Sequence, residues 1–240
     1  DRLWEQGVKE VGIIRCGIDL HPQEELPSKP LRFPLRLVVV SRLAPNKRIE
    51  HAIEAVRELL RRGVPVQLTI VGSGQAEESL RTFAAEFGVD SAVEFTGRLS
   101  EEEKNERLGN AHFLLHTSQR EGWGLNVIEA SVLGTPAIVY PVDGLMESTV
   151  HKVTGIVVED ETPASLAEGI QAVSQRESEY QTLRVNGWKR AALFHWDQLL
   201  PAAGVWLEAL ARGENMPGKN MQTTSPAVSL EKSSQATFHQ

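Results

Sequence analysis

Cysteine is almost absent: Cys16 is the sole example in 240 residues. That excludes a disulfide framework and a cysteine-ligated zinc site, and it makes a reducing compartment, the cytoplasm, the expected location. Long apolar runs are missing too. The longest, such as Leu37-Val38-Val39-Val40, fall far short of the roughly 20 residues that span a bilayer, and the first residues carry no signal-peptide pattern. Nor is there an excess of positive charge. The net charge is −7 with the two signs interspersed, which leaves no footprint for nucleic acid. The densest basic pairs, Arg61-Arg62 and Lys189-Arg190, fall near predicted helix ends, where cations complement the dipole. No Asp-x-Asp pair is present to hold a metal ion, and His112, His116 and His151 are not read as metal ligands. His116 ends a predicted strand, placed either against a ligand or in packing. What is present, 41% hydrophobic and 24% charged residues, is the composition of a globular chain with a sizeable core.

From Leu35 onward apolar runs alternate with amphipathic segments. Leu37–Val40, Val66–Val71, Ala92–Phe95, Phe113–Thr117, Ala137–Tyr140 and Gly155–Val158 read as buried parallel strands. Between them, Ile49–Arg62 sets Ile49, Ile53, Val56 and Leu60 on one face, and Gln75–Phe87, Ser100–Leu108 and Leu125–Leu133 are shorter helices. Such alternation means βαβ units with right-handed crossovers, so the expected class is α/β, a Rossmann-like, doubly wound parallel sheet. Helices over 163–175, 178–194 and 197–212 are expected to close a domain spanning 35–212. Before it, residues 1–34 carry a short strand, Val11-Gly12-Ile13-Ile14, and then four prolines (Pro22, Pro27, Pro30, Pro34), a linker or wrap-around arm. After Gly213 the polar composition to Gln240 predicts a disordered tail.

In open α/β sheets ligands bind beyond the carboxyl ends of the strands, where the strand order reverses; for the order 3-2-1-4-5-6 that is between the first and fourth strands. The first runs into Ser41-Arg42-Leu43-Ala44-Pro45-Asn46-Lys47, and the fourth into Ser118–Gly124. Arg42 offers a planar fork for phosphate oxygens, and Lys47 a flexible point charge just before a helix. The pair suits a diphosphate; two solvated loop charges are the alternative. Opposite them lies Glu121-Gly122-Trp123-Gly124-Leu125-Asn126-Val127-Ile128-Glu129. Gly122 and Gly124 let the backbone approach a ligand at a strand-to-helix turn rich in free N–H groups. Asn126 lies in the first helical turn, and Glu129, about one turn further, can accept two hydrogen bonds from a diol. Gly72-Ser73-Gly74 follows the second strand, where a turn needs glycine with or without a ligand.

These residues resemble a known family. Ser41–Lys47, Ile70–Gly74, Phe95-Thr96-Gly97-Arg98-Leu99, Glu121–Gly124 through Glu129-Ala130, and Gly134-Thr135-Pro136 are similar to the C-terminal, donor-binding domain of retaining glycosyltransferases with the GT-B architecture, the group 1 family. The likeness runs from about Gly12 to Trp196. Two departures stand out: Arg48 where the family commonly has glycine, and Trp123 for a frequent phenylalanine.

The resemblance implies one half of a GT-B architecture, whose preceding Rossmann-like domain binds the acceptor and has no counterpart in residues 1–34. It implies a nucleotide diphosphate sugar as donor substrate, no cofactor and no metal. Arg42 and Lys47 would hold the diphosphate and Glu121 the donor sugar, the three expected catalytic residues. Gly97, Arg98 and Leu99 would border the base, Glu129 would bind the ribose, and Gly72 with Gly122, Trp123, Gly124, Leu125 and Asn126 would complete the binding surface. The acceptor would be a glycan, lipid or small molecule, a lipid bringing peripheral membrane association. A non-catalytic nucleotide-sugar-binding module and part of a sugar-nucleotide epimerase are the alternatives.

Overall fold

The computed structural model describes residues 15–22 and 24–212. The expected strand at Val11–Ile14 and the tail after Gly213 lie outside the described residues. These fall into two units, one of which covers Cys16–Trp196. It holds a six-stranded, all-parallel sheet made of β1 (Leu35–Val40), β2 (Val66–Val71), β3 (Val93–Gly97), β4 (Phe113–His116), β5 (Ala137–Val139) and β6 (Gly155–Val157), in the order β3-β2-β1-β4-β5-β6. This is the order from which the switch point between the first and fourth strands follows. The crossovers are α1 (Ile49–Arg61), α2 (Glu77–Glu86), α3 (Glu101–Asn110), α4 (Leu125–Val132) and α5 (Asp143–Ser148); α6 (Pro163–Ser174) and α7 (Glu177–Ala191) follow β6. The six-residue α5 escapes periodicity because fewer than two turns cannot display it.

Both faces of the sheet are covered, which is why its strands read as continuous apolar runs. Leu35, Leu37 and Val39 of β1 join Ile53 and Val56 of α1 and Ile170 of α6 in one core cluster. Val38, pointing the other way, joins Leu108 of α3 and Val127 of α4 in a second. β4 divides likewise, Phe113 and Leu115 to the first cluster and Leu114 to the second. The stripe on α1 needs one correction. Leu59 is fully buried and Leu60 is 39% exposed, while Ala52 and Ala55 are buried completely. The two alanines mark the centre of the face; counting only large side chains had rotated it by a residue.

Local signals set the ends of the elements. α3 starts with a capping box in which Ser100 Oγ accepts from the Glu103 N–H and Glu103 accepts from the Ser100 N–H. Thr162 caps α6, with Pro163 in its first turn. Beyond α4, Gly134 takes the left-handed conformation at φ 69°.

Residues 16–34 belong to the same compact unit as the sheet. Ile18 forms an isolated parallel bridge with His195, its N–H donating to the Phe194 carbonyl at 2.9 Å. Of the three expected closing helices, α6 and α7 belong to this unit. The third, α8 (Trp196–Ala211), makes up most of what is described of the other unit, with Pro201 inside it and Leu200, Val205 and Leu207 exposed. Among the described residues no helix is long and apolar enough to cross a membrane.

Candidate functional site

The loop after β1 and the loop after β4 are bonded to each other directly. The Gln119 N–H donates to the Asn46 carbonyl at 3.0 Å, and Thr117 Oγ1 to the Lys47 carbonyl at 2.8 Å. Arg48 donates from Nε to the Thr117 carbonyl at 2.8 Å and from Nη2 to the Ser118 carbonyl at 3.1 Å. Its guanidinium also pairs with Glu161 at 2.6 Å and lies 4.8 Å from the centre of the Tyr140 ring. Arg48 adopts φ 48°, a left-handed conformation that costs a non-glycine residue about 1–2 kcal/mol. That backbone explains the family's glycine, and the bonds of the Arg48 side chain offset the strain.

The β2 loop locks onto the same ledge. Gly72 has φ 133°, and a Cβ there would run into the Ser41 carbonyl; a Cβ on Gly74 would meet that of Leu43. Ser41 and Leu43 donate their N–H groups to Val71 and Ser73, both at 3.0 Å, and the Gly72 N–H reaches the Gly97 carbonyl at 2.9 Å. Gly72-Ser73-Gly74 is therefore a close-packing device that carries Gly97, Arg98 and Leu99 to the edge of the same surface. Arg98 is exposed and Leu99 half-buried.

At the seam between β1 and β4 the charges meet. Lys47 Nζ donates to Glu121 Oε2 at 2.9 Å, and His116 Nε2 lies 3.3 Å from the same oxygen. The His116 hydrogen bond, joined by Lys47 against the opposing cost of burial, pulls the Glu121 pKa down to about 2. His116 is buried, with its Nε2 turned toward Glu121. Arg42, one residue beyond the ledge contact at Ser41, is exposed and makes no ion pair or hydrogen bond among the described residues.

α4 begins at Gly124, left-handed at φ 73° and without a side-chain cap. Gly144, at the start of α5, is pressed so closely under the Glu121–Gly122 backbone that a Cβ would collide with it. Gly122 itself has open space where a Cβ would be and no positive φ. Asn126 donates from Nδ2 to the Val40 carbonyl at 2.9 Å, tying the start of α4 to the end of β1. Leu125 is 38% exposed in the first turn. The Trp123 ring lies 5.2 Å from that of Phe194 and borders the cluster of Ile18, Ile128 and Val132, so its bulk serves packing. One turn on, Glu129 accepts from Lys104 Nζ at 3.2 Å, and Lys104 also holds Glu101 at 2.6 Å. Burial opposes the Lys104 charge, but the bonds to Glu101 and Glu129 outweigh it and its pKa is raised.

Sequence reasoning passed over Lys104. Lys104 sits on another helix, 25 residues before Glu129, and its only sequence signal was a local pairing with Glu101. His112 and His116 are four residues apart, the interval that puts two imidazoles on one face of a helix. On an extended chain the same interval separates them by about 13 Å. His112 Nδ1 instead accepts the Arg36 N–H at 3.0 Å, so the two do not form a metal pair.

A doubly wound sheet with charged side chains and an uncapped helix N-terminus gathered at its switch point defines a Rossmann-like domain. Residues 23–190 match the family described as glycosyl transferases group 1, and the chain belongs to it. A glycogen synthase of Mycobacterium tuberculosis is 29% identical over 227 residues, 94% of this chain and 55% of that protein. A D-inositol 3-phosphate glycosyltransferase of Nocardioides is 27% identical, covering 81% of this chain and 47% of the relative. Among solved structures, a sucrose-phosphate synthase from Thermosynechococcus elongatus superposes with a TM-score of 0.75 at 25% identity, over 89% of this chain and 56% of that one. The Anabaena protein HepE, crystallised with UDP and glucose, shares the fold at 0.66 and 21% identity, over 73% of this chain and 48% of that one. The chain spans about half the length of the curated relatives it matches.

Proposed function

We propose that this chain is the donor-binding domain of a retaining, metal-independent glycosyltransferase that moves a sugar from a nucleotide diphosphate sugar to an acceptor. The observation that carries the reading is the Lys47–Glu121–His116 cluster at the end of β1 and β4, with Arg42 uncommitted beside it. Gly122 adds support. Neither its backbone conformation nor any neighbour among the described residues demands glycine there, whereas a ligand brought against the backbone would.

In this reading Arg42 and Lys47 bind the diphosphate together with the free N–H groups at the start of α4. Lys47 has three donors, so it can keep Glu121 while gaining a phosphate oxygen. Glu121, held ionised by His116 and Lys47, accepts hydrogen bonds from the donor sugar. Glu129, steered by Lys104, takes the ribose hydroxyls, and Gly97, Arg98 and Leu99 border the base. As the bond from the anomeric carbon to the diphosphate breaks, its electron pair goes to the leaving oxygen, and fixed cations stabilise that charge. The acceptor oxygen bonds to the same face of the anomeric carbon, and its proton passes to the departing diphosphate. The acceptor is bound by a further domain of the full-length protein, and the protein works in the cytoplasm, at a membrane surface if the acceptor is a lipid.

UDP is the nucleotide to try first, since HepE and the pneumococcal O-GlcNAc transferase GtfA were both crystallised with it. Calorimetric titration with UDP, GDP and ADP tests the reading. Selective binding that weakens about tenfold or more in both Arg42→Ala and Glu129→Ala is expected. Binding unchanged in both variants would sink the assignment.

A further inference from the structure

At the N-terminal end of the sheet, away from the donor loops, residues 26–36 meet the C-terminal ends of α3 and α4 and one side of α7. Together they enclose a pocket of about 460 Å³, within the roughly 300–1,000 Å³ of small-molecule sites. Lys29, Arg32, Arg36 and Arg184 line it with Trp188, and neither aspartate nor glutamate is among its lining residues. A chain of net charge −7 has gathered four cations there.

Two of them serve the fold. Lys29 Nζ donates to the Gly109 carbonyl at 2.8 Å, the Ala111 carbonyl at 2.7 Å and Thr135 Oγ1 at 2.6 Å. Arg184 donates to the carbonyls of Gly134 at 3.0 Å and Pro27 at 2.6 Å, and to Gln181 Oε1 at 2.6 Å. Three of these bonds, to Gly109, Ala111 and Gly134, answer carbonyls at the C-terminal ends of α3 and α4. Glu177, a carboxylate on the first turn of α7, is committed to the Leu31 N–H at 3.0 Å and to Gln181 Nε2 at 2.6 Å.

The remaining donors are not spent. Arg36 uses only Nε, on the Asn110 carbonyl at 2.7 Å, and leaves both Nη groups without a partner among the described residues. Arg32 is exposed and has no partner among them either. Trp188 Nε1 is buried with no hydrogen-bond partner among the described residues, and an unpaired buried donor is destabilising. Two free guanidinium edges along one pocket, beside a tryptophan whose indole N–H is unpartnered among the described residues, call for a ligand with several acceptor oxygens and a negative charge.

We propose that this pocket binds a small phosphomonoester, its phosphate clasped by Arg32 and Arg36 and an oxygen of its carbon skeleton accepting from Trp188 Nε1. Being remote from Arg42 and Glu121, it is filled independently of the donor.

The test follows the indole N–H resonances of the ¹⁵N-labelled chain as inorganic phosphate or glucose 6-phosphate is added. The expected result is a saturable shift of the Trp188 signal with glucose 6-phosphate, weakened about tenfold in Arg32→Ala and in Arg36→Ala. Because Arg32 is exposed and unbonded, its substitution leaves folding intact. The shift should persist in an Arg42→Ala/Lys47→Ala double variant, which removes the cations of the donor loops. An equal shift with inorganic phosphate assigns the site to the bare anion, against the expected skeleton contact, and overturns that half of the proposal. A Trp188 signal that stays still at millimolar probe, or a shift untouched by either arginine substitution, overturns all of it.

Discussion

The two ends of the sheet both collect positive charge, and they divide it differently between bonded and uncommitted groups. At the N-terminal end Lys29 and Arg184 are buried and each makes three hydrogen bonds. At the C-terminal end Lys47 shares one carboxylate and Arg42 has no partner among the described residues. The contrast recurs within a single loop, where Arg48 binds two carbonyls and Glu161 while Arg42, six residues earlier, is unpaired among the described residues. Counting charges does not separate scaffold from site; counting uncommitted donors does.

The sharpest way to break this comparison is Arg184→Ala. Leaving three acceptors unanswered in a buried setting should cost about 3 kcal/mol, read as a lower denaturant midpoint; a loss below about 1 kcal/mol would mean the N-terminal end is not scaffold. Gly72→Ala comes next. Its Cβ collides with the Ser41 carbonyl, so about 2 kcal/mol of stability should go, together with donor affinity, because the loop carrying Arg42 must move.

Glu121→Gln should cost about 1 kcal/mol at neutral pH, a partly exposed pair being worth little. The Glu121 pKa falls on folding from 4.5 to about 2, so the carboxylate's contribution is complete above pH 4.5 and fades as pH drops towards 2. Wild type and Glu121→Gln should accordingly converge in stability across that window; a gap that widens on acidification would reverse the assignment. The smallest effect is expected for Arg42→Ala, within about 0.5 kcal/mol in stability, even though donor binding suffers most there. Significant unfolding of that variant would place Arg42 with the scaffold.

Much of this was legible beforehand because two periodicities and one topological rule act over short stretches of chain. The six apolar runs became the six strands, and their order placed the loops of Arg42 and Glu121 side by side. What stayed hidden depends on contacts between distant segments. Lys104 steers Glu129 from another helix, and the N-terminal pocket draws on four separate stretches of sequence. Pro27 and Pro30 read only as marks of a connection, although Lys29 between them is among the most firmly bonded cations of the chain. Trp123 was legible as a position and not as a role: its ring serves Phe194 and its backbone the loop. Arg48 could be seen to replace a glycine, but only its left-handed backbone says what the glycine was for.

The stitching between residues 46–48 and 117–119 has a mechanical meaning. Two segments about 70 residues apart in the chain are joined by four hydrogen bonds, so neither can swing while the other stays. Any opening or closing around a bound ligand must carry both as a single plate, with the flexing displaced to the perimeter of the domain. A probe fixed to either loop would then record the same trajectory.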